Sequence, residues 1–273
     1  MQISSIQNSL TAIMSMHTAQ SAVAKASERI STGLRVNSAA DDPAGAGVAN
    51  KLKVQVGSFS KVLDNLSQGT GIVQVVDDSL TQMVEALTSL RVASVASMGT
   101  LSTDDRNMYQ TQVDEYLAVI DSISSNAMWN GESLMSDEVT KSIQSGINSG
   151  DTTSLSLEEM TVSSLSLTEL SVASTSDADA SVELIDTAIG TVSNYQSYIG
   201  AMENVLDIQS NVATSNITNY STAYGHIMNA DMAQETSNLA SAQIQRDAAT
   251  AMLAQSHTMN KELVAYLLMS GMS

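Results

Sequence analysis

Apolar residues recur three and four positions apart through most of this 273-residue chain, which contains a single proline, Pro43. The longest run extends from Leu52 to Leu90 and covers about five heptads, enough to predict a long coiled-coil-like helix. Gly69 and Gly71 lie inside it, and each costs roughly 1 kcal/mol relative to alanine without breaking the period. Because so few helix breakers occur, the chain can sustain unusually long helices.

Three further helices are predicted on the same grounds. The first follows the capping residues Ser102–Asp105, carries apolar residues as far as Ile123, and ends before the turn signal Asn130–Gly131. The second extends from Ile185 to Ala223, and the last extends from about Met232 to Leu268.

Helical spacing disappears over residues 131–175, where short segments alternate apolar and polar residues. The alternation is clearest at Leu155–Leu157 and at Val162–Leu167. Asn148–Gly150 has the composition of a hairpin turn. We therefore predict a small β-hairpin region here, closed by a surface loop over residues 171–179, which are rich in serine, alanine and aspartate.

Both ends of the chain carry apolar stripes that are almost free of charge. Residues 1–24 contain no charged side chain, and residues 248–273 contain only Lys261 and Glu262. An isolated amphipathic helix gains little until its stripe is covered. The two terminal helices are therefore expected to cover each other or to cover neighbouring copies of the chain. The apolar positions that define the stripes are Ile3, Ile6, Leu10, Ile13, Leu263, Leu267 and Leu268.

The order of elements is helices, a small β insert, and helices again. Two helical arms of similar heptad character pack most naturally side by side in opposite directions. The predicted fold is therefore mainly α, a long antiparallel coiled-coil-like helical rod with a small β-hairpin region and paired N- and C-termini.

Charge and composition exclude several classes of function. The formal net charge is −18, and no basic residue occurs between Lys141 and Arg246, which argues against nucleic acid and anionic membranes as partners. Cysteine is absent, and no run of 18 apolar residues predicts a membrane span. The N-terminus lacks the features of a cleavable secretory signal.

Catalytic and metal-binding constellations are not found in the sequence. His17, His226 and His257 are widely separated, and no G-x-S-x-G elbow occurs. Gly45–Gly47 resembles half of a phosphate loop and is interpreted as a flexible connection beside Pro43. We expect neither an enzyme nor a protein with a cofactor or resident metal.

Two long segments resemble the signatures of bacterial flagellins. Ser27–Leu52, SERISTGLRVNSAADDPAGAGVANKL, is similar to the N-terminal signature, and Met228–His257 is similar to the C-terminal one. Ile143–Leu167 and the turn Trp129–Gly131 also resemble the small β region of that family. The resemblance covers essentially the entire chain.

The resemblance implies a subunit of the extracellular flagellar filament, used for swimming motility. Residues 1–42 and 228–273 would form an inner coiled coil, and residues 43–227 an outer helical layer with the hairpin region. The large outer variable domains of many flagellins would be missing. Export would use the flagellar type III apparatus, and the partners would be other copies, other flagellins, an export chaperone and a cap protein.

The same resemblance places the assembly interface on the terminal helices, which are expected to fold only as subunits join. Leu34 and Arg35 would serve the junction between layers, and the inner packing would use the seven apolar residues of the terminal stripes. A hook–filament junction protein, which shares such terminal helices, is the alternative. The segment around Arg91 that matches the family's innate-immune epitope lacks several expected charges, so immune recognition stays open.

Overall fold

The computed structural model describes residues 2–270, with side chains over residues 7–262 and at residues 264 and 265. The helices of this described part are α1 (Gln2–Thr32), α2 (Pro43–Ser97), α3 (Thr103–Asn126), α4 (Thr175–Met228) and α5 (Met232–Ser270). Its strands are β1 (Met128–Trp129), β2 (Glu132–Ser133), β3 (Val139–Gln144) and β4 (Thr152–Leu157), which form two antiparallel pairs, β1–β2 and β3–β4. The predicted class, mainly α with a small β-hairpin region, is confirmed.

The chain forms two compact units. The terminal unit consists of Met1–Val54 and Asn219–Ser273, and the central unit consists of Gln55–Thr218. The predicted division at residues 42 and 228 concerns layers of an assembly and stays a prediction.

The central unit is built around the apolar stripe of α2. Every third or fourth residue of that stripe is buried against α3, α4 and the hairpin region. Large aliphatic side chains from all these elements complete one continuous core, so this unit has its own hydrophobic stabilisation. The predicted period of α2 is thereby confirmed at its buried positions, which are Leu66, Val73, Val76, Leu80, Met83, Leu87 and Leu90.

Local signals set the boundaries of α3 and the first hairpin as predicted. Ser102 accepts a hydrogen bond from the Asp105 backbone N–H, and the Asp105 carboxylate accepts one in return from the Ser102 N–H. This reciprocal pair is a capping box. Between β1 and β2, Asn130 and Gly131 take φ values of 49° and 84°, as a two-residue hairpin turn requires.

Two tyrosines of α4 attach the second hairpin to the helices. The Ser156 N–H donates to the Tyr198 hydroxyl, and the Glu158 N–H donates to the Tyr195 hydroxyl, each at 3.1 Å. The two rings stack with centroids 6.0 Å apart. Burial raises the pKa of Tyr195 to about 12, so this side chain is neutral at physiological pH.

Three sequence expectations are corrected by the structure. Val162–Leu167 forms consecutive turns, with the Leu167 N–H donating to the Val162 carbonyl, because its apolar side chains enter the core without strand pairing. The surface loop expected over residues 171–179 ends early, since α4 begins at Thr175 and Ser174 caps its first turn through the Asp177 N–H. Gly45–Gly47 is helical rather than a flexible connection.

The two glycines inside α2 have a packing role. A Cβ atom at Gly71 would lie 2.8 Å from the Trp129 ring, and one at Gly69 would lie 2.6 Å from the Ile143 side chain. Both distances are shorter than a carbon–carbon contact allows. Glycine at these positions therefore lets the two hairpins approach the helix.

Gly71→Ala is expected to lower the free energy of unfolding by about 1–3 kcal/mol, because the added methyl group displaces the Trp129 ring. Gly57→Ala is the matched control in the same helix, since nothing lies near its Cβ position. The control should be neutral or stabilising by up to about 1 kcal/mol. Chemical denaturation followed by fluorescence of Trp129, the chain's single tryptophan, measures both, and equal effects would contradict this account.

Candidate assembly interface

Helices α1 and α5 pack against each other along a heptad seam, called here the terminal seam. On each helix the shielded side chains follow one another at spacings of three and four, as in a coiled coil. Contacts between Ser9 and Ser256 and between Arg29 and Glu235 show that the helices are antiparallel. The seam consists of Ser9, Ala12, Met16, Ala19, Val23, Ala26 and Ile30 of α1 and Glu235, Leu239, Ala242, Arg246, Ala249, Leu253, Ser256 and Asn260 of α5.

Small side chains dominate the most buried positions of this seam. Ala19 and Ala26 of α1 and Ala242 and Ala249 of α5 are buried, whereas the larger aliphatic residues are only half-buried. Alanine allows two helix backbones to approach closely but removes little apolar surface from water. The terminal seam therefore provides weak hydrophobic stabilisation for the length of helix that it orders.

Polar contacts mark the two ends of the terminal seam. At one end the Ser9 and Ser256 hydroxyls are 2.5 Å apart. At the other end, Arg29 Nη1 donates to Glu235 Oε1 at 3.0 Å, with Glu235 only 7% exposed. Since a buried carboxylate without its partner is costly, this ion pair favours one register over slipped alternatives.

A short extended segment follows α1 and joins the end of α4. Gly33, with φ at +70°, ends α1 in the left-handed conformation typical of a helix C-terminus. Leu34 then forms an antiparallel bridge with Asn229. The Arg35 guanidinium donates to the Ile227 carbonyl at 2.7 Å and so satisfies a free acceptor of the last turn of α4. The role expected of Leu34 and Arg35, at a junction between layers of an assembly, stays a prediction.

Two acidic residues fix the connection to α2. Asp42 accepts a hydrogen bond from the Gly45 N–H at 2.8 Å, so it caps a helix that begins with proline. Asp41 lies 2.9 Å from the Lys25 ammonium. The hydrogen bond from Lys25, together with those from the Ser38 and Asn37 N–H groups, lowers the pKa of Asp41 to about 2.

The predicted assembly residues lie away from the terminal seam where their side chains are described. Leu10 is 57% exposed and Ile13 is 44% exposed. Neither side chain occupies a seam position, so α5 of the same chain does not cover them. The other five residues of the predicted terminal stripes have helical backbone, but their side chains lie outside the described part of the structure: Ile3, Ile6, Leu263, Leu267 and Leu268.

Other large apolar side chains of α5 are also exposed. Ile244 is 69% exposed and Met252 is 65% exposed. The name outward apolar face is used below for the set of exposed large apolar residues of α1 and α5, which also includes Leu10 and Ile13. Its members are Leu10, Ile13, Met14, Met232, Ile244, Met252, Met259 and Val264.

Prediction by hydrophobicity missed the terminal seam because its residues are small. The signal was nevertheless present, since alanine or serine recurs every seven residues at Ala12, Ala19 and Ala26 and again at Ala242, Ala249 and Ser256. A search for regular spacing irrespective of size would have found it.

The described part of the chain shows no cluster of acidic, histidine or cysteine side chains suited to a metal ion. Within residues 2–270, none of the helices combines the length and apolarity needed to cross a bilayer.

Comparison with known protein families shows which family the two helical regions match. The family described as the bacterial flagellin N-terminal helical region matches residues 3–140, half of the chain, and the C-terminal helical region matches residues 182–267. This chain belongs to the flagellin family. Flagellins are structural proteins, and the resemblance stated from the sequence is confirmed.

Individual relatives give the extent of the similarity. A flagellin from Salmonella muenchen is 33% identical over 147 residues, which is 54% of this chain and 29% of that protein. A phase 1 flagellin from Salmonella naestved is 32% identical over 148 residues, with the same coverage of each chain. The matched part thus spans less than a third of these flagellins.

A solved structure supports the fold. The structure described as that of a flagellar hook-associated protein from Vibrio parahaemolyticus matches with a TM-score of 0.58 at 17% identity. The match covers 69% of this chain and 100% of that one.

The register of the terminal helices can be tested with engineered cysteines, because the chain contains none. In assembled protein, where the terminal helices are ordered, Ser9→Cys with Ser256→Cys should form an intramolecular disulfide on oxidation, seen as a faster band on a non-reducing gel. Adding Glu235→Ala should lower the yield severalfold, since it leaves Arg29 without its partner. Ser9→Cys with the exposed Gln255→Cys is the control and should form little disulfide; an equal yield there would contradict the register.

The Lys25–Asp41 ion pair should give a measurable pH dependence. The folded pKa of Asp41, about 2, lies below the usual 3.8, so the stability from this pair is present above pH about 4 and is lost as pH falls to about 2. Solid-state NMR titration of the Asp41 carboxyl group in assembled protein, where α1 is ordered, checks the value. Lys25→Met should return its pKa toward 3.8, whereas Lys61→Met, which removes the partner of Asp64, should leave it unchanged.

Proposed function

We propose that this chain is the structural subunit of a bacterial flagellar filament. Subunits would join through the terminal unit, and the helical polymer would serve swimming motility. Family membership supports this proposal, and one property of the terminal unit supports it most directly.

In the terminal unit the small apolar residues are buried and the large ones are exposed, which is the reverse of an ordinary globular core. Among the described side chains, the buried apolar residues of the terminal unit are five alanines and Val36. Its exposed apolar residues include leucine, isoleucine and several methionines. Large apolar side chains exposed in such number on two helices indicate an interaction site. We infer that neighbouring subunits cover the outward apolar face.

The free energies favour coupling between folding and assembly. Ordering one residue costs about 1–2 kcal/mol of backbone entropy, and the alanine-rich terminal seam returns little of it. Covering a leucine or isoleucine side chain contributes about 1.5–3 kcal/mol. We therefore expect α1 and α5 to be largely unfolded in the free subunit and to become ordered as copies join. The central unit, with its own core, would be folded throughout.

The proposed polymer follows from a repeated contact between different surfaces of the same subunit. Such a contact produces an open helical filament when its rotation does not close a ring. The segment from Ala127 to Ser174, between α3 and α4, contains the two hairpins and turns rather than a large domain, so the filament would be thin and smooth. The location would be extracellular, with export through the flagellar apparatus.

Other partners are proposed from the family alone. An export chaperone would bind the terminal helices before assembly, and a cap protein would hold subunits at the growing tip. Other flagellins with similar terminal helices could join the same polymer.

Seeded polymerisation tests the proposal. The purified chain, mixed with short filament fragments, should elongate them, as seen by electron microscopy and light scattering. Leu10→Asp should raise the concentration needed for elongation by about 10- to 100-fold, because a buried leucine is worth 1.5–3 kcal/mol and each 1.4 kcal/mol is tenfold. Leu10→Met, which keeps the site apolar, is the matched control and should elongate normally.

Two results would count against the proposal. Normal elongation by Leu10→Asp would remove the outward apolar face from the interface, and absence of fibres from the unaltered chain would remove the filament itself. The phenotype of a strain lacking the gene distinguishes a filament subunit from a hook–filament junction protein. Loss or shortening of the filament fits a filament subunit, whereas complete filaments shed into the medium fit a junction protein.

A further inference from the structure

Four methionines of α1 and α5 are open to solvent, of which Met232, 45% exposed, lies at the start of α5 and the other three lie toward the Ser9–Ser256 end of the terminal seam. Met14 of α1 is 64% exposed, and Met252 and Met259 of α5 are 65% and 48% exposed. The chain has 16 methionines but one phenylalanine and one tryptophan. Methionine thus supplies a large share of the apolar area at the surface where subunits are proposed to meet.

Met14 lies beside other exposed apolar side chains, whereas Met252 and Met259 line a groove. Met14 directly follows Ile13 and lies one helical turn after Leu10, so it extends the exposed side of α1. Met252 and Met259 are one heptad apart and line a groove of about 360 Å³ between α1 and α5. Across this groove lie small side chains of α1, namely Asn8, Thr11, Ala12 and Ser15. A side chain of a neighbouring copy would bury both thioethers.

We propose that Met14, Met252 and Met259 are oxidation sites through which a peroxide stops assembly of the free subunit. A lone pair of the methionine sulfur attacks one peroxide oxygen, and the O–O bond breaks as the S–O bond forms. With hydrogen peroxide, the sulfur is oxidised to the sulfoxide, and the second oxygen leaves as water after taking up the proton. This inference rests on the proposed function, because it requires that assembly buries these side chains.

The effect on assembly follows from the polarity of the product. A sulfoxide is a strong hydrogen-bond acceptor on a side chain that was apolar, and it disrupts interfaces rich in methionine. Burial of such a group without a donor is unfavourable. Assembly and oxidation therefore exclude each other, so a filament protects its thioethers, whereas an oxidised subunit cannot join.

Other methionines of the chain serve as internal controls for this oxidation. Met83, Met135 and Met160 are at most 2% exposed in the core of the central unit, so they should resist the reagent. Met108 is 73% exposed on α3 and should react readily without belonging to the terminal helices. The first set reports whether the protein stays folded, and Met108 supplies a matched control variant.

The experiment compares free subunits with filaments exposed to the same hydrogen peroxide concentration. Peptide mass spectrometry measures the sulfoxide fraction at each methionine, and seeded elongation measures assembly. We expect Met14, Met252 and Met259 to react at least about tenfold faster in free subunits than in filaments. Treated subunits should elongate seeds at least roughly tenfold more slowly, and methionine sulfoxide reductases should restore the rate.

Leucine variants assign the effect to these sites. Met14→Leu with Met252→Leu and Met259→Leu keeps apolar volume and should retain elongation after peroxide, whereas Met108→Leu should remain as sensitive as the unaltered chain. Equal sensitivity of the triple variant would overturn the proposal. Equal oxidation rates in filaments and free subunits would also overturn it, even if the triple variant failed to fold. Failure of the untreated chain to elongate would instead reject the filament itself, and this inference with it.

Discussion

The contact between α1 and α5 is the interaction on which the behaviour of the terminal unit depends. Alanines at alternate seam positions bring the two helices together through their smallest side chains. This arrangement leaves large leucine, isoleucine and methionine side chains outside the seam and exposed to solvent. An apolar face then remains to be buried by something else, and a repeating copy of the same chain is the most economical partner.

The two compact units therefore differ in how their stability arises. The central unit buries large aliphatic side chains from α2, α3, α4 and the hairpin region, and its second hairpin, β3–β4, is held by hydrogen bonds to Tyr195 and Tyr198. Such a unit can fold alone. The terminal unit orders long helices around alanines and one buried ion pair, so it buries little apolar surface against the entropy of ordering. This difference is the physical basis of the proposed link between folding and polymerisation.

Interpretation of the sequence succeeded where a local signal or a long apolar period determines structure. The α2 stripe, the capping box at Ser102 and the turn at Asn130–Gly131 were all predicted, because each depends on neighbours along the chain. The alternation of apolar and polar residues at Val162–Leu167 wrongly predicted β structure, because the buried side chains there belong to turns packed on the core. The glycines at 69 and 71 were recognised as irregular, but their reason lies in Trp129 and Ile143, which are distant in sequence.

The candidate interface shows the same division. The apolar stripe at Leu10 and Ile13 was visible in the sequence, but the sequence left open whether the opposite terminus or another molecule covers it. The sequence alone determined the helical content, the start of α3 and the family, because these follow from spacing, a capping box and long motifs. Only the tertiary structure decided which face of α1 meets α5, because small residues give a weak hydrophobic signal and still permit the closest approach of two helices.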